Sequence, residues 1–418
     1  MPFSVGLKKI ALVIIFVLLI LNPYTIYLNL AYLVIPLIFA GFLYRFKGLD
    51  NEIIFLSGAM ILISMIGVLV SHLNGIGQFN HLKVAFQLLI YVLLAYSIFI
   101  IFYSRNFSFD EFVFCILLAV VFNSVVIVLQ VYLPAFRAFT ESFLVPSGNI
   151  NWKEGFRYRG IASGGGASLS VLVPVAVVVC LYLYSQKYFS IVSAFFYLLV
   201  LIFSIFFIGR TGLVLLPVVA FSYLFFELRK YFLKTSFFIC VAFFLVYITS
   251  DMIKVMLVDQ YGIGFYNYSL GFLLDGVQGL KEEGTVGTVI GFLAAMPTTF
   301  PEILIGCGYY GGENCLVPTD AGYSRMFLSV GYFFGLLFYM CFFLMFRNVF
   351  MYKPFLFLTI GGLLLIAEIK EPLIFAGYAS RLYFLILVFG GLSKKFRYQN
   401  IQGHSVSGDG ALLSRGIS

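Results

Sequence analysis

Apolar runs of about twenty residues follow one another along almost the whole chain, each long enough to cross ~30 Å of hydrocarbon as a helix. They fall at roughly 8–23, 26–44, 53–72, 83–103, 111–133, 166–185, 189–209, 211–228, 236–253, 323–346, 354–371 and 378–393. That pattern predicts an all-α polytopic membrane protein of about 12 transmembrane helices. Charge is scarce to match: 62% of the 418 residues are hydrophobic and 11% are charged, too few charges to clothe a soluble domain of this size. The net charge of +8 comes from basic residues scattered among the spans, with no tract, so it does not point to nucleic acid. Lys8 and Lys9 before the first run look like the start of a signal peptide. No small-residue cleavage site follows and further spans come at once, so the run reads as the first helix. One membrane domain is expected over residues 1–398, followed by a Gly- and Ser-containing tail, 399–418, expected to be disordered.

Short-loop Lys and Arg predict the orientation, because cytoplasmic loops carry an excess of them. With the N-terminus inside, fifteen basic residues fall on the inner side, Lys394, Lys395 and Arg397 among them, and eleven on the outer side. The inner face then carries +9 and the outer face −1. Both termini are expected in the cytoplasm, with two long outer loops, 134–165 and 254–322. Within the second, 285–305 is apolar but broken by Pro297 and Pro301, which predicts an interfacial or re-entrant helix. Long ordered loops on one side of a bundle are where a site is expected.

The first outer loop and the outer helix ends hold arginine, which a membrane protein ordinarily keeps on the cytoplasmic side or leaves out. Arg157 and Arg159 lead into Gly160 and then Gly164, Gly165 and Gly166, which open the sixth span. A helix N-terminus offers free N–H groups and partial positive charge, glycine lets backbone approach a phosphate, and Arg meets phosphate as a fork. The stretch therefore reads as a diphosphate cradle. The competing reading is a flexible loop whose arginines meet lipid headgroups. Arg210 lies in the tight turn Gly209-Arg210-Thr211-Gly212 between two apolar runs. A charge so placed usually faces a cavity or a partner; the simpler reading is an arginine that snorkels. Arg325 heads the tenth span after Asp320-Ala321-Gly322-Tyr323-Ser324. Asp320 is placed to cap that helix, and Arg325 sits at the end that disfavours a cation, so an anion or Asp320 is expected beside it. Glu368, Lys370 and Glu371 close the eleventh span, and Arg381 starts the twelfth.

Asp320, Glu313, Glu368 and Glu371 stand open as general bases. No His, Cys and carboxylate spacing suggests zinc, and no Asp-rich motif suggests magnesium; no metal or other cofactor is expected. Cys115, Cys180, Cys240 and Cys341 fall within spans as small core residues. Cys307 and Cys315 bracket a glycine-containing stretch of outer loop and either close a disulfide there or stay thiols. Gly331 and Gly335 in the tenth span allow close helix contact. Outer tyrosines such as Tyr158, Tyr310 and Tyr323 are placed either to stack on sugars or to sit in the interfacial belt.

The many spans, the two large outer loops, the run from Arg157 to Ser168, the Gly-Arg-Thr-Gly turn at 209–212 and the Gly-Tyr-Ser-Arg at 322–325 together resemble the Wzy-type polysaccharide repeat-unit polymerases of the O-antigen polymerase/ligase superfamily. The resemblance extends over most of the chain in architecture and rests on short motifs. It implies a GT-C-like, metal-independent, inverting glycosyltransferase of the bacterial cytoplasmic membrane. Such an enzyme builds O-antigen, capsule or exopolysaccharide on the outer face, beside a chain-length regulator and a flippase. The donor would be a growing glycan on undecaprenyl diphosphate, and the acceptor a single repeat unit on the same carrier. The resemblance makes Arg157, Arg159 and Arg210 the groups that stabilise the departing diphosphate, with Arg325 and Asp320 as further catalytic candidates. Gly164, Gly165, Tyr323, Lys370, Glu371 and Arg381 become substrate-binding candidates. The related ligases share the layout but usually carry a functional histidine in the large late outer loop, and 254–322 has none. A flippase or transporter of lipid-linked sugars would need ionisable residues deep in several spans, and the span interiors here are nearly free of charge. A purely structural assembly protein would leave the outer arginines beside glycines unexplained.

Overall fold

The computed structural model describes residues 5–33, 35, 36, 39, 43, 51–102, 107–145, 157–226, 254, 255, 258, 259, 262–266, 296–310, 321–374 and 377–412. Among them the regular structure is helical, and the isolated bridges Tyr24–Asn29 and Thr25–Leu144 pair short pieces of extended chain. In chain order the principal helices are α1 (Val5–Phe16), which runs into a π-helical turn (Val17–Leu21), α2 (Asn51–Leu73), α3 (Asn80–Phe102) and α4 (Phe109–Tyr132). Next come α5 (Pro134–Phe143), α6 (Ala167–Ser185), α7 (Ile191–Ile205) and α8 (Arg210–Phe226). The last four are α9 (Phe300–Ile305), α10 (Gly322–Met345), α11 (Pro354–Ala367) and α12 (Gly377–Leu412).

Five of these, α2, α3, α4, α6 and α10, are long and apolar enough to cross a membrane. Their outward faces say the same. On α2 the exposed residues Phe55, Leu62 and Leu69 recur every seventh position. On α7 the exposed set is Ile191, Val192, Phe195, Phe196, Leu199 and Ile202. Apolar stripes of this extent on the outside belong against lipid, since soluble monomers rarely expose them. The protein is an all-α membrane protein. Helices α7, α8 and α11 are apolar but shorter, with 15, 17 and 14 residues. Of the other expected spans, 236–253 lies outside the described residues and 26–44 is described only in part.

The most buried span is α6, which packs against α4, α7, α8, α11 and α12. Its sequence suits the centre: valine, alanine and serine at most positions keep neighbouring backbones close, which is what drives association once lipid replaces water. Pro174 inside α6 has no N–H for the carbonyl of Ser170. Gly212 of α8 closes on that gap: a Cβ at Gly212 would lie 2.2 Å from the Ser170 oxygen, and its N–H donates to Ser170 Oγ at 3.1 Å.

At one end of the bundle, α4 begins with Asp110 and Glu111, acids in the first turn, where the helix dipole favours them. Glu111 pairs with Lys9 at 2.6 Å and accepts from the Tyr188 hydroxyl. Asp110 accepts from the Tyr182 hydroxyl at 2.6 Å and faces Lys353 at 3.6 Å. These two acids tie α1, the α6–α7 turn and the start of α11 together. The opposite end, where α6, α8, α10 and α12 begin, carries the arginines and is called the arginine end below.

Several expectations are corrected here. The loop 134–165 opens with a helix, α5, because Pro134 is accommodated in a first turn and Arg137 and Glu141 pair at 2.8 Å one turn apart. The backbone of α12 runs as helix to Leu412. The cap of α10 is Ala321, with no side-chain bond, and the Gly322 N–H goes instead to the Glu368 carbonyl at 2.9 Å. Asp320, Glu313 and Cys315 lie outside the described residues.

The apolar segment broken by prolines contains α9, which starts after Pro297 and holds Pro301 in its first turn. It packs on α10 where α10 is itself broken: Gly331 has φ +77° inside the helix. The break frees carbonyls, and Cys307 N and Gly308 N supply donors to Leu328 O (2.8 Å) and Ser329 O (3.2 Å). Non-helical backbone is tolerated beside lipid only when it is answered from within the protein in this way. Gly331, read from sequence as half of a helix-contact pair, is therefore a helix break, and its close neighbours are Leu304 and Ile305 of the same chain.

Candidate functional site

The glycine-rich turn after Arg159 and the Gly209–Gly212 turn, far apart in sequence, are neighbours at the arginine end. Tyr158 N donates to Phe207 O at 2.9 Å, and a Cβ at Gly209 would lie 3.4 Å from the Gly166 oxygen. The start of α12 joins them: Tyr378 N donates to Ser168 Oγ at 2.8 Å, and the Tyr378 hydroxyl meets Ser163 Oγ at 2.9 Å. Three helix N-termini, those of α6, α8 and α12, thus meet at one place. Gly166 makes the first of these turns possible, with φ +76° and no side-chain cap. Each N-terminus contributes partial positive charge.

Full charges stand with them. Arg210 is the first residue of α8 and is half-buried. Beside it, Lys370 Nζ donates to Thr211 Oγ1 at 3.1 Å, so the end of α11 is drawn to the head of α8. Arg381, one turn into α12, donates from Nε to the Tyr91 hydroxyl at 3.0 Å. Its Nη1 reaches the carbonyls of Leu19 and Ile20, each at 3.4 Å, where a helix end leaves carbonyls without intrahelical partners. Gly164 is buried and Gly165 half-buried in the turn between Ser163 and α6, and Arg157 is half-buried at its approach.

Arg159 behaves differently. It is 6% exposed, and its guanidinium donates to the carbonyls of Ala162 (3.3 Å), Ser163 (3.4 Å) and Leu144 (2.5 Å). Burial lowers its pKa, opposed by the nearby Glu141 and Tyr378. The neighbouring Gly160 fits against Asn123 and Gln130: Gln130 accepts from Gly160 N at 3.1 Å and donates to Gly160 O at 3.2 Å. Arg159 is the staple that shapes the glycine turn. Replacing it with methionine is expected to leave those buried carbonyls without their charged donor, at about 1–3 kcal/mol. Thermal unfolding in detergent will read this as a lowered midpoint, with Arg157→Met as the milder comparison.

A second group of sequence candidates gathers on the other side of the α11 end. Glu368 is fully buried, accepting from the Tyr339 hydroxyl at 3.0 Å and from Ile374 N at 2.7 Å. A Cβ at Gly322 would lie 2.3 Å from its Oε1, so only glycine lets α10 begin there. Glu368 is thus held by the protein's own donors. Arg325 lies within electrostatic reach of Glu368 and Tyr310. Tyr323 gives its hydroxyl to Leu365 O at 2.9 Å and stacks on Phe327. The end of α11 therefore sends Glu368 into this group and Lys370 to Thr211, the residue after Arg210, with Glu371 half-buried.

Sequence reading passed over the groups that join the pieces: Ser163, Ser168, Thr211, Tyr378 and Tyr91. Small hydroxyls beside glycines at helix starts were the available signal. Cys307, the described half of the suggested disulfide, donates Sγ–H to Leu328 O at 3.2 Å. No protein-family model matches this chain, and neither does any curated protein or any solved structure.

Proposed function

We propose that this protein polymerises glycan repeat units carried on undecaprenyl diphosphate, by glycosyl transfer at the arginine end. The observation that carries the reading is the convergence of three helix N-termini with Arg210 and Lys370. Preorganised positive charge of this kind suits a departing diphosphate. An acceptor hydroxyl attacks the anomeric carbon, the bond from that carbon to the diphosphate oxygen breaks, and undecaprenyl diphosphate leaves with the electron pair. The hydroxyl proton passes to a base, and the anomeric centre inverts. In this reading Arg210 and Lys370 face the developing charge, Arg157 flanks it, Arg381 binds substrate on the α3 side of α12, and Gly164 and Gly165 let the backbone come close. Arg159 shapes the turn.

The same reading sets the chain in a bacterial cytoplasmic membrane with about 12 spans and a GT-C-like plan. The end with Asp110 and Glu111 faces the cytoplasm, and the arginine end faces outward. Proteoliposomes given lipid-linked repeat units are expected to build ladders of longer glycan. Transfer to a different acceptor alone would make the protein a ligase, and movement of unaltered lipid-linked sugar would make it a flippase. Orientation has its own readout. On a cysteine-free background in cells, Phe139→Cys on α5 is expected to react with a membrane-impermeant maleimide. Gln186→Cys, at the α6–α7 turn, is expected to react only after permeabilisation. The reverse pattern would place the cradle in the cytoplasm and end the reading.

A further inference from the structure

A groove of about 570 Å³ opens between the π-turn after α1, α3 and α12, a volume typical of small-ligand sites. It lies on the α3 side of α12, whereas the cradle of helix N-termini lies on the α6 side. Two stripes of α3 line it. Lys83, Gln87 and Tyr91 form a polar stripe at four-residue spacing, and Phe86, Ile90 and Leu94 form an apolar stripe at the same spacing. Four-residue spacing stacks each set along one helix face. The polar stripe is chained to α12: Gln87 donates to the Tyr91 hydroxyl, which also accepts from Arg381. Lys83 is exposed at the mouth, and its ammonium makes no hydrogen bond or ion pair among the described residues. The groove is therefore cationic at its outer end and apolar along its length, open sideways where Phe86 and Ile90 are exposed.

We propose that this groove seats a second lipid-linked substrate, the acceptor, with its polyprenyl chain along Phe86, Ile90 and Leu94 and its diphosphate at Lys83 and Gln87. The assignment of the lipid as acceptor rests on the polymerase reading above. Joining two membrane-anchored chains requires two lipid seats, and the fold offers two cationic places separated by the first turns of α12. Their chemistry differs in the right sense. The cradle concentrates helix N-termini and Arg210 where charge would develop, which is what a donor diphosphate requires. The groove offers one exposed ammonium and an arginine already bonded to Tyr91, Leu19 and Ile20, enough to hold a phosphate whose charge does not change. Arg381 also lies 5.7 Å from the Tyr378 ring, and Tyr378 bonds the glycine turn through Ser163. An acceptor held in the groove would thus sit against the donor site.

The test uses the full chain in phosphatidylcholine nanodiscs and a polyprenyl diphosphate carrying a diazirine on its hydrocarbon. Lys83→Glu removes the ammonium, and Ile90→Trp fills the groove; both positions are exposed, so both variants are expected to fold, which thermal unfolding will check. Photolabelling of the α3 peptide is expected to fall about fivefold or more in each, close to 1 kcal/mol of binding. In ladder assays KM for the lipid-linked single unit is expected to rise by a similar factor while kcat holds. Labelling unchanged in both folded variants would overturn the groove as a lipid seat. Suppression by an equal mole fraction of phosphatidylglycerol would overturn it as a substrate seat and make it a site for bulk phospholipid. Labelling that falls as expected in a protein that builds no ladder would refute the polymerase reading while leaving the lipid seat in place.

Discussion

Arg210→Ala is expected to slow ladder formation by about 100-fold to 1,000-fold, the usual cost of losing one preorganised donor to developing charge, ~2.7–4 kcal/mol. The loss should appear in kcat, because an arginine that answers charge created during transfer contributes little to holding the ground state. Stability should move far less. A cation at a helix N-terminus opposes the helix dipole by about 0.3–1 kcal/mol, and that repulsion disappears with the side chain. Lys370→Ala, which removes a more mobile point charge from beside Thr211, is expected to show the same pattern at smaller amplitude. The contrast is Arg159→Met, where stability falls and residual rate tracks the folded fraction. Full-rate ladders from folded Arg210→Ala would remove the meeting point of α6, α8 and α12 from the chemistry.

The largest expected effect on folding is at Gly308. A Cβ there would lie 2.1 Å from Ser71 N and 2.3 Å from Ser71 Cα, with φ at +77°. The obstacle is backbone, so it cannot rotate aside, and the left-handed conformation alone costs an L-residue roughly 1–2 kcal/mol. Displacing the turn would also take the Cys307 and Gly308 donors from Leu328 O and Ser329 O, leaving two carbonyls beside lipid at several kcal/mol each. Gly308→Ala is therefore expected to cost more than about 4 kcal/mol, in the range of severe core lesions. Gly75→Ala is the matched control: its φ is +71°, but nothing lies within 4 Å of the added carbon. Folded yield and unfolding midpoint in detergent will compare them. Equal losses in the two variants would mean that the 306–310 turn is not packed on α2 and α10 as described.

Much of the architecture is legible in the sequence because it depends on local patterns. Long apolar runs with few charges identify α2, α3, α4, α6 and α10 without knowledge of their partners. Helix α5 was hidden because its ten residues have a low mean hydropathy and stand out only by their amphipathic pattern, which long apolar runs do not show. The site was legible in its ingredients and not in its wiring. Arginines beside glycines announce an anion site, yet whether an arginine faces a ligand or the protein's own carbonyls depends on tertiary contacts. Arg159 answers it with the protein's own carbonyls, those of Ala162, Ser163 and Leu144. Gly331 and Gly335 illustrate the same limit, since a glycine pair that permits contact and a glycine that breaks a helix read identically until φ is known. The Lys83, Gln87 and Tyr91 stripe was readable in principle, as three polar groups at spacing four on a mostly apolar helix, but four-residue spacing of polar groups is easily lost when runs are judged by mean hydropathy.

The mutual dependence of the broken helix α10 and the turn before it also constrains how the chain is made. The carbonyls of Leu328 and Ser329 take their donors from Cys307 and Gly308, so neither the break nor the turn is complete without the other. The two pieces are only about twenty residues apart, so closing that short loop costs little chain entropy, and they are expected to enter the membrane together.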